Sequence, residues 1–342
     1  MSTNTHYASS MGALRQRLGL GLILGFLVLL GLALFGDIRQ VGQVVQHFDW
    51  RIYPLALVLT LFNYTLRFVK WHYYLRLVEV STLPWWQSLR LFVAGFPLAV
   101  TPGKVGEVLK AIWIQQKSGL PVAQGVSIVL AERISDGLAV LILSTSGVMA
   151  YPQYWPAFAS IGLLLLGGII LSQMRTLVMQ IFNWLTRLRR LGRLIPPLRQ
   201  FYEGTFILFR PRSTLLAVSL GSLSWLGEGI GFYLILVGLG MPATAHTAGL
   251  AIFILSFSTV VGAVSTLPGG LGAAEASIAG MLVLLAHLPQ AQAAAATLLI
   301  RLATLWFGVS LGLITWTFSP DLLGLKTRQD LFASPTREQG VH

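Results

Sequence analysis

Eight ionisable residues stand inside stretches that are otherwise apolar: Lys104, Glu107, Glu132, Arg133, Asp136, Glu228, Glu275 and Arg301. At the centre of a bilayer helix each would cost about 2.5–3.5 kcal/mol on insertion scales. Facing lipid, the eight together would cost roughly 20 kcal/mol, more than a marginally stable fold absorbs. They must therefore turn inward, pair with one another or line a wet cavity. Glu132 and Asp136 are four residues apart and share a helix face, and Arg133 precedes Asp136 by three. Two kinds of chemistry are open to such a set. One is a buried ion-pair lattice that fixes helix register; the other is a polar path that accepts a charged group at membrane depth.

The spacing of these residues is repeated. Pro102-Gly103-Lys104-Val105-Gly106 is followed at once by Glu107, and Pro268-Gly269-Gly270-Leu271-Gly272 is followed three residues later by Glu275. Arg133 comes 26 residues after Glu107, and Arg301 comes 26 after Glu275. A helix that begins at such a glycine loop directs its amides and the positive end of its dipole into the bilayer interior, which suits an anionic group such as a phosphate. Two such ends, with Lys104, Arg133 and Arg301 beside them, would make a pair of anion-attracting pockets. The loop glycines Gly103, Gly106, Gly269 and Gly272 would form their rims, and Glu132 and Asp136 would stand alongside. Glu107 and Glu275 would cap the helices or pair with the arginines while the pockets are empty. Glu228, in Trp225-Leu226-Gly227-Glu228-Gly229, has no partner evident from spacing.

The elements that must carry these residues are membrane spans. The chain has 342 residues, 55% hydrophobic and 11% charged, with a mean hydropathy of +0.72. Soluble domains carry about 25% charged residues, and no stretch here is polar enough to be one. A span needs about 20 mainly apolar residues. This predicts crossings over 18–36, 52–75, 120–150, 157–173, 213–239 and 289–318. The apolar segments 84–117 and 247–287 are each broken by a glycine-proline element into halves of about 15 residues. Such halves are too short to cross alone, so both segments read as re-entrant hairpins, admissible only under cover of protein or beside a wet cavity. The expected fold class is an all-α polytopic membrane protein of about six spans plus two broken-helix hairpins. The unit of span, hairpin and arginine-bearing span occurs over about 52–150 and again over about 213–318. Three crossings lie between the hairpins, so the second unit is inverted, as in secondary transporters.

Basic residues set the expected orientation. Arg15 and Arg17 place residues 1–17 in the cytoplasm, and Leu18–Phe35 reads as a retained anchor followed by Asp37 and Arg39 rather than a cleaved leader. The second span returns the chain inside near Arg67, Lys70 and Arg76. Tyr151 to Pro156 forms an external aromatic belt, and the linker 174–212 is cytoplasmic. That linker holds Arg175, Arg187, Arg189, Arg190, Arg193, Arg199, Arg210 and Arg212 against the single acid Glu203. Flanked by spans, it faces anionic lipid headgroups rather than nucleic acid. The tail 319–342, with Lys326 and Arg328, is also inside. Trp71 and Trp85-Trp86 read as interface anchors.

Other chemistry finds no apparatus. The absence of cysteine excludes disulfides, thiolate metal sites and cysteine catalysis. His47, His72, His246 and His287 are scattered without metal-ligand spacing, and Ser144 and Ser146 form no triad with a histidine. Phosphate-binding loop, dinucleotide, zinc-protease and aspartate-rich diphosphate motifs are missing, so neither a cofactor nor a catalytic residue is expected.

At these residues the chain resembles the lysylphosphatidylglycerol synthase transmembrane-region family of flippase-like integral membrane proteins. The resemblance runs over roughly 15–320. It rests on Leu66-Arg67-Phe68-Val69-Lys70-Trp71, Gly95-Phe96-Pro97 through Glu107, Glu132-Arg133 with Asp136, and Leu267-Pro268-Gly269-Gly270-Leu271-Gly272-Ala273-Ala274-Glu275 with Arg301. In bifunctional members this region is joined to a cytosolic aminoacyltransferase and moves aminoacylated phosphatidylglycerol between leaflets. The sequence given continues only about 24 residues past its last span, so the expectation is the flippase-like part without the synthase. Pro102-Gly103-Lys104 departs from the Pro-x-Arg of many members, keeping the charge but losing a bidentate fork. The resemblance implies a plasma-membrane protein that translocates or binds an anionic, phosphate-bearing lipid. An accessory subunit or enzyme of lipid-linked glycan or phospholipid synthesis, with a biosynthetic enzyme as partner, is an alternative, as is a small-solute or ion transporter.

Overall fold

The computed structural model describes residues 2–101, 106–150, 155–186 and 194–323. Lys104 and Gly103 lie outside the described residues, as do Gln153 to Tyr154, Arg187 to Arg193 and residues from 324 onward. The described chain is helical, with no strand among its residues. The helices are α1 (Ser2–Phe35), α2 (Ile38–Gln46), α3 (Tyr53–Leu77), α4 (Trp85–Ala94), α5 (Val108–Ser118), α6 (Val122–Ala150) and α7 (Trp155–Gln173). They continue with α8 (Arg175–Leu185), α9 (Ile195–Leu208), α10 (Pro211–Gly238), α11 (Ala245–Val264), α12 (Ala273–Leu285), α13 (Gln290–Arg301) and α14 (Phe307–Thr317). Prolines start several of them: Pro54, Pro196 and Pro211 stand in the first turns of α3, α9 and α10, where no amide partner is lost.

Five helical segments are long and apolar enough to cross a membrane: 18–35, 211–238, 245–264, 268–285 and 290–317. A sixth is the bent pair 158–173 and 175–185, whose axes turn by 77° at Met174. Helices α3 and α6 are as long, at 25 and 29 residues. Their apolar runs are diluted by Arg67 and Lys70 in one and by Glu132, Arg133 and Asp136 in the other. The molecule is thus an integral membrane protein, all-helical among its described residues. One expectation needs correction. The first hairpin does consist of two short helices, α4 and α5, joined through a 3-10 turn at Phe96–Val100. In the second, α11 has 20 residues and reaches span length by itself, while α12 has 13. The uninterrupted apolar run up to Val264 lets that helix fill the first half of the segment, because nothing breaks it before Pro268.

The 174–212 linker is also more ordered than a loop. Within it α8 and α9 form, and α9 lies on α6, where a Cβ on Gly204 would fall 2.1 Å from the Ser127 hydroxyl. Packing elsewhere follows the small-residue logic of membrane helices. Ala293 to Ala296 of α13 are fully buried, and Gly308 and Gly312 of α14 meet Tyr64 and Pro97. Leu20, Ile23, Phe26, Leu163, Leu164, Leu215 and Leu284 remain exposed on the outer faces. Two features then position the site. Helix α3 packs along α10 as the most extensive helix pair of the molecule. The second glycine-proline turn meets the 3-10 turn Phe96–Val100 in the interior, where a Cβ on Gly269 would lie 3.2 Å from Val100.

A charged cavity where the two hairpin turns meet

The second turn is shaped by its glycines. Gly269, Gly270 and Gly272 have φ of +60°, +68° and +85°, a left-handed course that a Cβ disfavours. Gly270 also packs on Gly262 of α11, whose Cα would be 3.0 Å from an added Cβ. This tight turn aims the amide of Gly272 at Glu275, which accepts it at 2.7 Å. The other oxygen of Glu275 accepts from Nε of Arg301 at 2.6 Å. Nη2 of Arg301 donates to the Gly269 carbonyl at 3.2 Å. One acid thus caps α12 and binds the loop to the end of α13. Directly after Arg301 the helix widens into a π turn, Leu302–Trp306, a distortion that often marks functional positions. The hydroxyl of Tyr64 donates to its Thr304 carbonyl at 2.6 Å.

The first turn is closed by Thr101, whose hydroxyl accepts the Gly106 amide at 3.0 Å and donates to the Leu98 carbonyl at 2.6 Å. Glu107 stands at the start of α5 and forms a 3.0 Å ion pair with Nε of Arg133. One turn on, Lys110 lies 3.5 Å from Glu132 and over the rings of Trp71 and Phe92, at 5.1 and 5.4 Å, a favourable setting for a buried cation. Glu132 is fully buried. Asp136 is held from α3: Lys70 Nζ bonds to it and, at 3.1 Å, to Ser135, while Arg67 stands 3.4 Å away.

These contacts change two readings. Arg67 and Lys70 do not mark a cytoplasmic surface: Lys70 is 0% exposed, and its charge serves Asp136. Trp71 is no interface anchor, being fully buried under Lys110. Arg133 pairs with Glu107, one of the two roles expected of that acid. Lys110 is a site residue that the sequence does not single out. Its only local signal is a lysine three residues beyond Glu107 on the hairpin helix.

Around these groups lies a cavity of about 530 Å³. Its polar lining comes from Arg67, Glu107, Lys110, Arg133, Asp136, Glu228 and Arg301, beside Gly269 and Gly270. Its apolar lining includes Gly137 and Leu141 of α6, Leu164 and Leu165 of α7, and Val260 and Val264 of α11. Leu164 and Val264 are 76% and 63% exposed, so the cavity opens sideways between α7 and α11. Phe158 of α7 and Phe257 of α11 pack against each other, with ring centroids 5.5 Å apart. Of the residues expected from sequence, Glu107, Arg133, Asp136, Arg301 and Gly269 reach the cavity. Glu132 and Glu275 support it from behind through Lys110 and Arg301. Gly106 and Gly272 shape the turns. Among the described residues no cluster of His, Asp or Glu is arranged to hold a metal ion.

Comparison with known proteins places these features in context. The family model described as the lysylphosphatidylglycerol synthase TM region matches residues 22–312. A UPF0104 membrane protein of Methanothermobacter thermautotrophicus is 26% identical over 319 residues, covering 85% of this chain and 90% of that protein. No solved structure matches the chain.

Proposed function

The chain belongs to the lysylphosphatidylglycerol synthase TM-region family, and from that premise we propose that its cavity binds the headgroup of an anionic, phosphate-bearing lipid and passes it between leaflets. The observation that carries this reading is a convergence. Two acid–arginine pairs of equal sequence spacing border one cavity, and that cavity opens sideways toward the space that lipid tails occupy. Arg133 and Arg301 meet their acids through Nε, and each guanidinium lines the cavity. A planar guanidinium grips phosphate with two parallel hydrogen bonds. The apolar lining accommodates the first carbons of the tails, which need never leave the membrane. In this reading the protein lies in the plasma membrane with both termini cytoplasmic. Its two hairpin units are inverted copies, so that the same pocket chemistry faces each leaflet in turn.

The test uses Arg133→Lys and Arg301→Lys, which keep the charge and lose the fork. Transbilayer movement of a fluorescent phosphatidylglycerol is measured in proteoliposomes beside thermal unfolding. The expected result is loss of movement at near-parent stability, with a choline-headgroup lipid moved poorly by every form. Full movement by both lysine variants at unchanged stability would return the charges to a structural lattice.

A further inference from the structure

Glu228 differs from the other acids at the cavity. Glu107, Glu132, Asp136 and Glu275 each have a cation at ion-pair distance. Glu228 has none among the described residues, yet it is 5% exposed and lines the cavity. Its place is tightly built. Gly227 lets α10 close on Phe62 of α3, and Gly229 lets it close on Ile252 of α11; added Cβ atoms would fall 2.9 and 2.8 Å from those side chains. The charged and titratable groups that face Glu228 are Tyr64 and Arg67 from α3, Asp136 from α6 and Arg301 from α13. Helix α11 contributes Ser258 and Thr259 at the cavity and no titratable group.

Charge balance gives this acid a role. The cations Arg67, Lys70, Lys110, Arg133 and Arg301 face the four paired acids, and Arg67 and Lys70 share Asp136 between them. An ionised Glu228 brings the described set to neutrality, so little attraction for an anion is left over. A protonated Glu228 leaves one positive charge, centred on Arg67. An anion arriving beside Arg67 opposes a carboxylate at Glu228 in a setting with little water, and so favours the neutral acid. By linkage the proton then favours the anion to the same degree.

We propose that Glu228 takes up one proton with each anionic headgroup the cavity binds, so that lipid and proton cross the membrane together. The proposal rests on the anionic-lipid reading above and adds the coupling to it. The Glu228 carboxylate accepts a proton from water on the loading side as the headgroup settles at Arg67. The carboxyl releases it on the opposite side as the headgroup leaves. No bond of the lipid changes, and the transmembrane proton gradient is the source of free energy. For a headgroup of single negative charge the pair is neutral, so the membrane potential exerts no net force on it.

The experiment uses the full chain and a fluorescent phosphatidylglycerol, whose phosphate keeps its single charge at the pH values sampled. Binding is followed by energy transfer from tryptophan across acidic to alkaline pH. The affinity of the parent should fall by about tenfold per pH unit on the alkaline side, the slope for one proton. Glu228→Gln should hold its acid-side affinity throughout. In proteoliposomes a pH gradient should drive the parent and leave Glu228→Gln indifferent, while a valinomycin potential should leave the parent indifferent and drive the variant, whose charged headgroup crosses without a proton. A pH-independent affinity in the parent overturns the proposal whether or not the variant folds, as does a Gln variant with the parent's slope. Either result leaves the anionic-lipid reading standing. If the parent prefers the anionic headgroup over a choline headgroup at no pH, that reading falls and the coupling falls with it.

Discussion

Glu275 divides its work between its two oxygens, one capping the Gly272 amide and one holding Arg301. Breaking such a pair strands a charge away from water, which typically costs about 3–5 kcal/mol. Glu275→Gln should therefore lower thermal stability strongly, and Arg301→Met should do the same. The double variant should recover a large part of the loss, because neither charge is left alone. Thermal unfolding in detergent of the two single variants and the double variant checks this; additive losses would mean that the pair contributes nothing as a pair. The same argument applies to Asp136, which has two cations where Glu275 has one. Arg67→Met should cost less than Lys70→Met, since the lysine is 0% exposed and also bonds Ser135.

Among the elements, the last helix locks the first hairpin in place. Trp316 donates to the Ala94 carbonyl at 2.8 Å, and Trp113 donates to that of Leu322 at 2.9 Å. An added Cβ on Gly312 would fall 2.2 Å from Pro97. Gly312→Val should therefore overpack this contact at a cost of about 1–3 kcal/mol. Gly42→Ala on α2, where nothing lies within 4 Å, should instead gain up to about 1 kcal/mol of helix propensity. Unfolding midpoints moving in opposite directions would confirm the contrast. Asp321, just past α14, bridges Arg90 on α4 and Lys117 on α5. Partial burial works against its charge, but the hydrogen bond from Lys117 and the charges of Lys117 and Arg90 hold its carboxyl below the usual aspartate range. A carboxyl depressed in the folded state stabilises above its unfolded pKa of about 3.9. That contribution is lost as pH falls through the folded value. Asp321→Asn should thus be slightly less stable than the parent near neutrality and lose less on acidification below about pH 4. Unfolding measured across that window checks the sign.

At the scale of the whole molecule, the orientation and the inverted relation of the hairpins stand together. The chain contains no cysteine, so single cysteines report sidedness cleanly. His246 and Arg199 are exposed at the start of α11 and on α9. In the proposed orientation a cysteine at 246 labels from outside and one at 199 only from inside. Labelling of position 199 from outside would reverse the topology. The cavity makes the same orientation matter for function, since its sideways opening between α7 and α11 would face a defined leaflet.

Much of this is legible in the order of the amino acids alone. Apolar run lengths give the helices, because a bilayer fixes how many residues a span must have. Charges inside those runs have to turn inward, because lipid penalises each of them. The 26-residue interval between acid and arginine follows from a turn, a short helix and a return, which local spacing encodes. Partner choice among distant helices is different in kind. That Lys70 and Arg67 serve Asp136, that Lys110 lies over Trp71 beside Glu132, and that Glu228 meets the cavity without an ion-pair partner among the described residues all depend on how α3, α5, α6 and α10 pack. Nothing in the period of one helix specifies which face of another it will meet. The π turn after Arg301 belongs with these, because a backbone in contact with neighbours settles its own hydrogen bonds only when those neighbours are in place.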